Sequence, residues 1–562
     1  MAAGQAKHQT SGDVVPLAFR PPLPDSLVQP ASPPAAEVVD VDVVVVGAGP
    51  AGLAAAIELA HLARAAGGEQ RDAPHDVRIA VLEKAGALGE HCLSGAVVNP
   101  RALRELFPDV PEAELPLGAP VQREAVYYLT RSRAIRVPTP PTMRNHGNHV
   151  ASLCELVRWM GDRAAEIGVD ILTGFPAASL LVSGDRVVGV RTTPSGLERD
   201  GTPGPGYTPP VDVTARVVVL AEGTRGALAQ KYVEWQGIRS YNPQIYALGV
   251  KELWETPKAL DRVVHTLGWP LPRDAFGGSF LYPIEPNVLA LGLVVGLDHH
   301  DQTLDVHELL QAMKQHPLFR GYLDGGELLE WGAKTIPEGG YLALPERRSG
   351  DGIVLVGDCA GFVDVPSLKG IHYAIQTGIF AARAVFDGLA ADDVGYERLR
   401  AYDAAVNGSY VIDDLYRRRN MRAAFSGGFW TGALKAMLMT WTGGRLPGKP
   451  IRMPEDAAVP KRISGHVPGV AGGRLSITKA DAVFRSGNAT RDDVPRHLIL
   501  PDRVPEPLAR LYQHMCPAAV YESREGGLVT NPANCIDCKA TDVLGPRWTP
   551  REGGSGPRYR RM

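Results

Sequence analysis

A run of four valines that leads into three closely spaced glycines constrains the fold of this chain more than any other feature. Val43 to Val46 have the β-branched density of a strand buried on both faces of a parallel sheet. Gly47, Gly49 and Gly52 follow as G-x-G-x-x-G: the first permits a tight turn, the second lets a pyrophosphate approach the backbone, and the third lets a helix pack on the strand. The alanine-rich segment that follows predicts a helix whose N-terminus faces the phosphate. The pattern therefore predicts a dinucleotide-binding βαβ unit.

An acidic residue closes the second strand of this unit. The segment VRIAVLEK predicts a strand that ends at Glu83, where a carboxylate can accept hydrogen bonds from a ribose diol. Glu83 lies 83 − 52 = 31 residues after Gly52, later than the usual spacing of about 20. We attribute the difference to the polar insertion AAGGEQRDAPHD. An ordinary glycine turn is the alternative interpretation, and the ordered succession of strand, glycines, helix, strand and acid argues against it.

Later glycine-rich strand ends indicate that the dinucleotide is FAD. GIVLVGDCAGFVDVPSLKG predicts a strand before Gly357 and Asp358, then a loop, then a helix after Gly370. The aspartate can bond the ribityl chain of a flavin, and the helix N-terminus can face its ring. ARVVVLAEGTRG predicts another strand, which ends at Gly223. These segments resemble a discontinuous FAD domain of the glutathione-reductase type. Because no second G-x-G-x-x-G follows a strand, no separate nicotinamide domain is predicted.

The composition excludes several classes of protein. The 562 residues include 59 basic and 62 acidic side chains, and this near balance removes the electrostatic reason to expect a nucleic-acid partner. Six cysteines are too few for a disulfide scaffold, and we expect Cys92, Cys154 and Cys359 to be buried, inert thiols. Residues 1–38 have neither a secretory nor a mitochondrial targeting pattern and are expected to form a flexible arm, which favours a prokaryotic source.

Half of the cysteines lie within 23 residues near the C-terminus. Cys516, followed by proline, and the C-x-x-C pair Cys535 and Cys538 are typical of a loop that wraps an iron–sulfur cluster. A zinc site is the rival interpretation, and a metal-free loop is a third. Either metal needs a fourth ligand. Continuing the spacing leads to Thr541, a poor ligand for iron, and the neighbouring Asp542 could substitute for it.

A stretch with an apolar stripe follows the second glycine-rich region. In FSGGFWTGALKAMLMTW the large apolar residues recur at helical spacing. Basic residues flank the stretch on both sides, and its tryptophans and single lysine predict a helix that lies in a membrane interface rather than crossing it. An amphipathic helix on the protein's own core is the alternative. The residues predicted to face the membrane are Phe425, Phe429, Trp430, Leu434, Met437, Leu438 and Trp441.

Taken together, these segments resemble the electron transfer flavoprotein:ubiquinone oxidoreductase family. The resemblance runs from about Val41 to the C-terminus and is most specific in HTLGWPL, GGSFLYP, GFVDVPSLKG and the CPAAVY…NCIDCK tail. It implies a monotopic membrane enzyme with FAD, a [4Fe–4S] cluster and a quinone pocket that opens to the bilayer. Such an enzyme takes electrons singly from reduced electron transfer flavoprotein and delivers two to quinone.

The resemblance also implies roles for individual residues. Gly277 and Gly278 would line the quinone head site, where their lack of side chains would let the ring approach the backbone. Cys516, Cys535 and Cys538 match three of the four cluster ligands. The residues implied for FAD, together with Gly223 from the strand-end pattern, are Gly47, Gly49, Gly52, Glu83, Ser94, Gly95, Gly357, Asp358, Asp364 and Gly370.

Three positions depart from the family pattern. Thr541 stands at the fourth cysteine, which puts a complete [4Fe–4S] cluster in doubt. Asp364 stands where asparagine is expected beside the flavin, and a negative charge there would lower the reduction potential of the ring. Cys92 takes a position that is usually threonine.

The expected fold is α/β, with a discontinuous FAD-binding domain, an α+β quinone-binding domain and a small ferredoxin-like cluster domain. The arm at 1–38 is followed by FAD-binding segments at 39–235 and 346–400, quinone or membrane-facing segments at 236–345 and 401–500, and the cluster domain at 501–562.

The expected function is electron transfer without acid–base catalytic residues, on the cytoplasmic face of a prokaryotic inner membrane. The expected partners are electron transfer flavoprotein, the membrane surface and the membrane quinone pool, either ubiquinone or menaquinone, and no nucleic acid. One alternative is an FAD-dependent reductase of isoprenoid double bonds, of the geranylgeranyl type. Another is a non-catalytic flavin and iron–sulfur redox sensor.

Overall fold

The computed structural model describes residues 12–69, 77–446, 448–464, 473–525 and 527–562, and of residues 67–69 and Phe429 it describes the backbone alone. The α-helices are α1 (Pro50–Glu69), α2 (Arg101–Leu106), α3 (Leu153–Glu166), α4 (Ala227–Trp235), α5 (Val306–Lys314), α6 (Pro317–Leu323), α7 (Ile371–Ala390), α8 (Tyr396–Asn407), α9 (Tyr410–Arg417), α10 (Met421–Ala424), α11 (Phe429–Trp441), α12 (Lys479–Arg485), α13 (Glu506–Met515) and α14 (Ala540–Leu544).

The strands are β1 (Val28–Pro30), β2 (Glu37–Val46), β3 (Ile79–Glu83), β4 (Val97–Val98), β5 (Glu124–Leu129), β6 (Ala134–Val137), β7 (His149–Val150), β8 (Asp170–Thr173), β9 (Ala177–Ser183), β10 (Arg186–Thr192), β11 (Ser195–Leu197), β12 (Pro203–Thr208), β13 (Val211–Leu220), β14 (Tyr246–Glu255), β15 (Val263–Gly268), β16 (Gly277–Glu285), β17 (Val288–Gly296), β18 (Glu327–Pro337), β19 (Ser349–Gly350), β20 (Ile353–Leu355), β21 (Leu498–Ile499), β22 (Tyr521–Arg524), β23 (Gly527–Thr530) and β24 (Arg547–Trp548).

The predicted βαβ unit forms the centre of a nine-stranded sheet. Its strands run in the order β1-β9-β10-β13-β2-β3-β8, with β20 beside β13 and β19 beside β20. Strand β2 pairs in parallel with β3, and the valines that predicted it are buried on both faces, with Val43 to Val45 completely inaccessible. Helix α1 joins these two strands and packs against α7 and α3. The parallel, doubly buried strand expected from the valine run is therefore present.

The expectation of a flexible arm is wrong for the part of the arm that the structure describes. Strand β1 pairs in parallel with β9, where Val28 lies beside Leu180. Lys231 of α4 donates a hydrogen bond to Asp25. The N-terminal segment is thus fixed because it supplies an edge strand to the first sheet, and short strands of this kind carry little sequence signal. Residues 1–11 lie outside the described residues.

The second large sheet has seven strands, in the order β18-β14-β17-β16-β15-β5-β6. It is antiparallel except for the parallel pair of β15 and β5. Strands β5 and β6 come from the segment 124–137, which the predicted boundaries placed in the first FAD-binding segment. The pairing of β5 with β15, which no local pattern reveals, brings these two strands to the second sheet.

The chain returns to the first sheet after the second is complete. Strand β20 pairs in parallel with β13, where Leu355 lies beside Leu220, and α7 packs on α1. Helix α8 packs on α7, so the predicted boundary at residue 400 falls inside a helix of the first unit. No helix among the described residues combines the length and the apolar character needed to cross a bilayer.

The C-terminal segment contains α12 to α14, the β22–β23 hairpin and the β21–β24 pair. It is attached to both larger units. The N–H of Thr335 in β18 donates to the carbonyl of Cys538, and the N–H of Leu153 at the start of α3 donates to the carbonyl of Met562.

Candidate functional site

The glycine loop after β2 has the geometry expected for dinucleotide binding. Gly47 has φ of 106°, and a Cβ there would lie 2.5 Å from the carbonyl oxygen of Ala221. A Cβ on Gly52 would lie 2.0 Å from the carbonyl oxygen of Gly47, so helix α1 can approach the strand only without a side chain at this position. A Cβ on Gly49 would meet nothing within 4 Å. Two of the glycines therefore serve packing, and Gly49 leaves space for a ligand.

Glu83 lies at the end of β3, beside this loop. Its Oε2 accepts a hydrogen bond from the N–H of Ala48 at 3.0 Å, and its Oε1 accepts one from the N–H of Ala85 at 2.9 Å. These contacts fix the carboxylate at the mouth of the glycine loop, where the sequence predicted an acceptor for a ribose diol.

A cavity of about 2070 Å³ begins at this loop. Its volume is roughly twice the upper end of the range for ordinary ligand pockets, so it has room for a dinucleotide and a second molecule. Of the residues predicted for FAD and quinone, those that line it are Gly47, Gly49, Glu83, Ser94, Gly95, Gly223, Asp358, Gly370, Gly277 and Gly278. Gly52, Gly357 and Asp364 lie behind its wall.

The second glycine-rich strand end contributes a carboxyl group and a helix N-terminus. Asp358 follows β20 and lines the cavity, and burial raises its pKa to about 6. Gly370 is the residue immediately before α7, which begins beside the cavity. Gly357 has φ of 66°, and its Cβ would lie 2.9 Å from the Cβ of Ala51, so this turn approaches α1 closely.

The structure corrects the expectation for Asp364. Its buried carboxylate forms an ion pair with Arg418 and accepts a hydrogen bond from the N–H of Ser367. The sequence analysis expected a negative charge at this position to lower the reduction potential of the ring, but the guanidinium of Arg418 compensates this charge. The arginine lies 54 residues further along the chain, just after α9, and no local pattern indicates this pairing.

The structure also changes the explanation for Gly277 and Gly278. Both line the cavity, as predicted for a quinone site. Their lack of side chains, however, is required by the sheet itself. A Cβ on Gly277 would lie 2.1 Å from the carbonyl oxygen of Val294, and one on Gly278 would lie 2.7 Å from that of Thr266.

Lys251 and Lys369 are two of the lysines that line the cavity, and the sequence analysis singled out neither. Lys251 of β14 is 1% exposed, and its Nζ has no hydrogen-bond partner among the described residues. Lys369 donates a hydrogen bond from Nζ to the carbonyl of Ser367. Burial lowers the pKa of each lysine to about 8. The lysine inside the apolar strand segment GVKELW is the signal that could have identified the first.

The three scattered cysteines are inert, as expected. The Sγ of Cys154 donates to the carbonyl of Cys92, and the Sγ of Cys359 donates to the carbonyl of Leu220. Burial raises the pKa of the Cys154 thiol to about 12 and that of the other two well above their usual value. All three thiols are therefore protonated at neutral pH.

The C-terminal cysteines converge in a buried site. Cys516 follows α13, and Cys535 and Cys538 lie in the loop before α14. Among the described residues, the metal-ligating side chains whose donor atoms all come within 4.8 Å of one another are His497, Cys535 and Asp537, so the three thiols are not grouped that closely. A single zinc ion bonds sulfur at about 2.3 Å and would hold all three within about 4.6 Å. The wider spacing disfavours zinc and fits a larger cluster.

Neither oxygen proposed as a fourth ligand is free. Asp542 accepts a hydrogen bond from Nε of Arg225 at 2.7 Å and one from the N–H of Trp548 at 3.1 Å, so the expectation that it could substitute is wrong. The hydroxyl of Tyr521 donates to Oγ1 of Thr541 at 3.3 Å. The described residues of this site thus supply three cysteine ligands and no fourth cysteine, and they do not fit a fully cysteine-ligated [4Fe–4S] cluster.

The predicted amphipathic helix is shorter than expected and is largely exposed. Helix α11 begins at Phe429, and Gly428 before it has φ of 100°. The exposed residues on it include Trp430 at 74% and Trp441 at 85%, with Leu434, Met437 and Leu438 between them. Trp430, Met437 and Trp441 also line the cavity, so the helix forms part of its wall.

Two parts of this prediction need correction. The ring of Phe425 lies before α11 and packs on Phe276 at 5.3 Å between centroids, so it faces the protein. Among the basic residues before the stretch, Arg422 is buried in ion pairs with Glu338 and Asp298. The side chain of Phe429 lies outside the described residues.

Comparison with known proteins identifies the family. Residues 246–336 match the family model described as ETF-QO, ubiquinone-binding, and residues 473–560 match the model described as electron transfer flavoprotein-ubiquinone oxidoreductase, 4Fe-4S. The first covers β14 to β18, and the second contains Cys516, Cys535 and Cys538.

Curated relatives extend the match over nearly the whole chain. The mitochondrial electron transfer flavoprotein-ubiquinone oxidoreductase of Oryza sativa is 39% identical over 93% of each chain. The enzyme of that name from Pseudomonas aeruginosa is 37% identical over 94% of this chain and all of its own, and the human mitochondrial one is 36% identical over 93% and 89%.

A solved structure confirms the mixed α/β fold. The geranylgeranyl bacteriochlorophyll reductase-like protein of Thermoplasma acidophilum is 18% identical, has a TM-score of 0.54, and covers 75% of this chain and 95% of its own. The two domain matches and the full-length relatives together place this chain in the electron transfer flavoprotein-ubiquinone oxidoreductase family.

Proposed function

We propose that this protein passes electrons from reduced electron transfer flavoprotein through FAD to a membrane quinone, ubiquinone or menaquinone. The names of the relatives contain both the donor and the acceptor. The observation that carries the proposal is the continuous cavity. The same cavity is lined by Gly49 of the dinucleotide loop, by Gly277 and Gly278, and by Trp441 of the exposed helix α11.

The residues along the first part of the cavity fit FAD. Gly49 and the N-terminus of α1 would bind the pyrophosphate, Glu83 the ribose, and Asp358 the ribityl hydroxyls. Bound FAD supplies a group that accepts one or two electrons, which suits a one-electron donor and a two-electron acceptor. The return of β20 and α7 to the first sheet supports a discontinuous FAD-binding domain of the glutathione-reductase type.

The second part of the cavity fits a lipid-soluble acceptor. Leu267, Leu271 and Phe276 line it near the two glycines, and they exclude water from this region. At its far end α11 presents large apolar side chains to the outside. A quinone with a long isoprenoid tail can leave its tail in lipid there while its head reaches the interior.

A membrane surface is the partner that α11 fits. Arg417, Arg445, Lys449 and Arg452 are exposed around it. Each can contribute about 1 kcal/mol next to an anionic bilayer. We infer peripheral attachment at the cytoplasmic face of a prokaryotic inner membrane, since Pseudomonas aeruginosa carries a full-length relative.

An assay with two quinones tests the proposal. Reduced electron transfer flavoprotein is supplied to the protein with quinone in liposomes or with a water-soluble quinone that lacks the tail. We expect quinol in both cases, and Trp441→Glu should raise KM for the lipid quinone alone. If the flavin-loaded protein forms quinol from neither quinone, the proposal is contradicted. Reduction of a prenyl lipid without the donor flavoprotein would instead indicate an isoprenoid reductase.

A further inference from the structure

We propose that the site formed by Cys516, Cys535 and Cys538 holds a three-iron cluster, [3Fe–4S], in place of the four-iron cluster after which its domain family is named. The proposal concerns this chain's own ligands. It does not depend on quinone being the acceptor.

The first argument for a three-iron cluster is the number of cysteine thiols at the site. Proteins hold a [4Fe–4S] cluster with four cysteine thiolates. The matched segment 473–560 contains three cysteines. Cys92, Cys154 and Cys359 lie outside this segment. The thiols of Cys154 and Cys359 donate to backbone carbonyls, and Cys92 lines the large cavity.

The backbone around the three thiols has the form of a cluster-binding loop. Asp537 and Lys539, on either side of Cys538, have φ of 55° and 69°. Where residues in the left-handed backbone conformation alternate with right-handed ones, successive backbone N–H groups point to the same side. This arrangement recurs at iron–sulfur sites. The N–H of Val520 also points at Sγ of Cys516, at 3.4 Å.

The charges around the site favour an anionic cluster over a single metal cation. Asp537 is paired with Lys84 and with Arg551, whose Nη2 also donates to the carbonyl of Cys535 at 2.9 Å. Lys479 donates to the carbonyl of Cys516 at 2.7 Å. A cluster held by three thiolates is anionic as a whole, so these cations stabilise it.

The other candidates for a fourth ligand are unsuitable or already bonded. Thr541 offers a neutral hydroxyl that accepts a hydrogen bond from Tyr521, and Asp542 is held by Arg225. His497 remains. It is buried, and neither ring nitrogen has a hydrogen-bond partner among the described residues. Its ring nitrogen groups with Cys535 and Asp537 within 4.8 Å, and neither Cys516 nor Cys538 belongs to that group. We therefore assign the ring to the surroundings of Asp537 and not to the corner left open by the three thiols.

A fourth iron would therefore have no protein ligand at its corner. It would be bound by cluster sulfides and an exchangeable water only, and it can leave as Fe²⁺. Loss of Fe²⁺ from [4Fe–4S]²⁺ leaves [3Fe–4S]⁰, which an added one-electron oxidant converts to the paramagnetic [3Fe–4S]⁺. The stable occupant of a three-cysteine site is consequently the cluster that lacks this iron.

Metal analysis and electron paramagnetic resonance of the full-length protein, purified without oxygen, test the proposal. We expect three irons to four sulfides per flavin, and a resonance from the oxidised protein, because an oxidised [3Fe–4S] cluster is paramagnetic and an oxidised [4Fe–4S] cluster is not. Thr541→Cys should gain one iron and lose the resonance in the oxidised state. Thr541→Ser, the matched control, should behave like the parent.

Three results would overturn the proposal. One is a parent protein with four irons and no oxidised-state resonance. Another is zinc without sulfide. The third is loss or alteration of the cluster signal in His497→Ala, which would identify the histidine as a ligand; we expect the parent signal in this variant. Cluster content is read without turnover, so failure of quinone reduction in the same preparation would contradict the proposed function and leave the cluster assignment intact.

Discussion

Arg418 forms an ion pair with the carboxylate of Asp364, in the loop that connects β20 to α7. The side chain of Asp364 is 2% exposed and that of Arg418 is 26% exposed. Val363 and Val365, on either side of the aspartate, line the cavity. The charge next to the cofactor region is therefore balanced from a distant part of the chain.

Removing the arginine should affect both stability and redox potential. In Arg418→Gln the buried carboxylate loses its partner, and we expect a loss of about 3 kcal/mol of stability. A bound flavin should become harder to reduce, because the negative charge next to it is no longer compensated. Chemical unfolding and spectroelectrochemical titration measure the two effects.

The double variant Asp364→Asn, Arg418→Gln is the matched control for this pair. It removes both charges, so its flavin potential should return close to that of the parent. An unchanged potential in the single variant Arg418→Gln would contradict the role assigned to the pair.

Two glycines of the dinucleotide loop should respond differently to the same substitution. Gly49→Ala places a methyl group in open space within the cavity, so the protein should fold normally but retain at least tenfold less FAD. Gly52→Ala places it against the carbonyl of Gly47, so we expect loss of soluble protein or a much lower melting temperature. Flavin absorbance per chain and thermal unfolding distinguish these outcomes. Full flavin content in Gly49→Ala would show that the loop does not face the pyrophosphate.

The exposed tryptophans of α11 should control membrane binding. Trp430→Glu with Trp441→Glu should reduce sedimentation with anionic liposomes at least tenfold, because apolar area buried in the interface is replaced by charge that anionic lipid repels. Phe484→Glu, on α12, alters an aromatic side chain that is 82% exposed and serves as the matched control. Equal losses in both proteins, or none in the double variant, would contradict the assignment of α11.

Lys251 gives a prediction for the pH dependence of stability. Its pKa is lowered from 10.5 to about 8, so between about pH 8 and 10.5 the unfolded chain binds more protons, and stability should rise with pH. Lys251→Met removes the cost of burying the unpartnered charge. In flavin-free protein at pH 7 we expect a gain of up to about 3 kcal/mol, and a flatter profile above pH 8.

Lys314→Met is the control for this measurement. Lys314 is equally buried, but it is paired with Glu252 at 2.9 Å. Its removal leaves a buried carboxylate without its partner, so it should destabilise the protein. Urea unfolding midpoints across pH 7 to 10 separate the two lysines, and a destabilised Lys251→Met would contradict the account.

Local sequence patterns predicted those structural elements that depend only on residues close together in the sequence. The valine run, the glycine loop and Glu83 form the predicted strand, turn and acceptor, because burial and backbone freedom act within a few residues. The cysteine spacing likewise predicted a site that the fold brings together, although the chain between Cys516 and Cys535 forms a hairpin that the spacing alone did not reveal.

The features that local patterns missed depend on distant parts of the chain. Strands β5 and β6 join the second sheet through their pairing with β15, and β1 joins the first sheet through β9. Arg418 also pairs with Asp364, and Arg225 with Asp542, across long separations in the sequence. The sequence thus located the charge of Asp364, but it did not reveal the arginine that compensates this charge.

Anaerobic mixing of the purified, flavin-loaded protein with reduced electron transfer flavoprotein tests the central claim most directly. We expect the bound flavin to be reduced as the donor flavin is oxidised, and to be reoxidised when quinone is added, with quinol formed. A protein that remains colourless after incubation with FAD, or a bound flavin that the donor fails to reduce, would contradict the account.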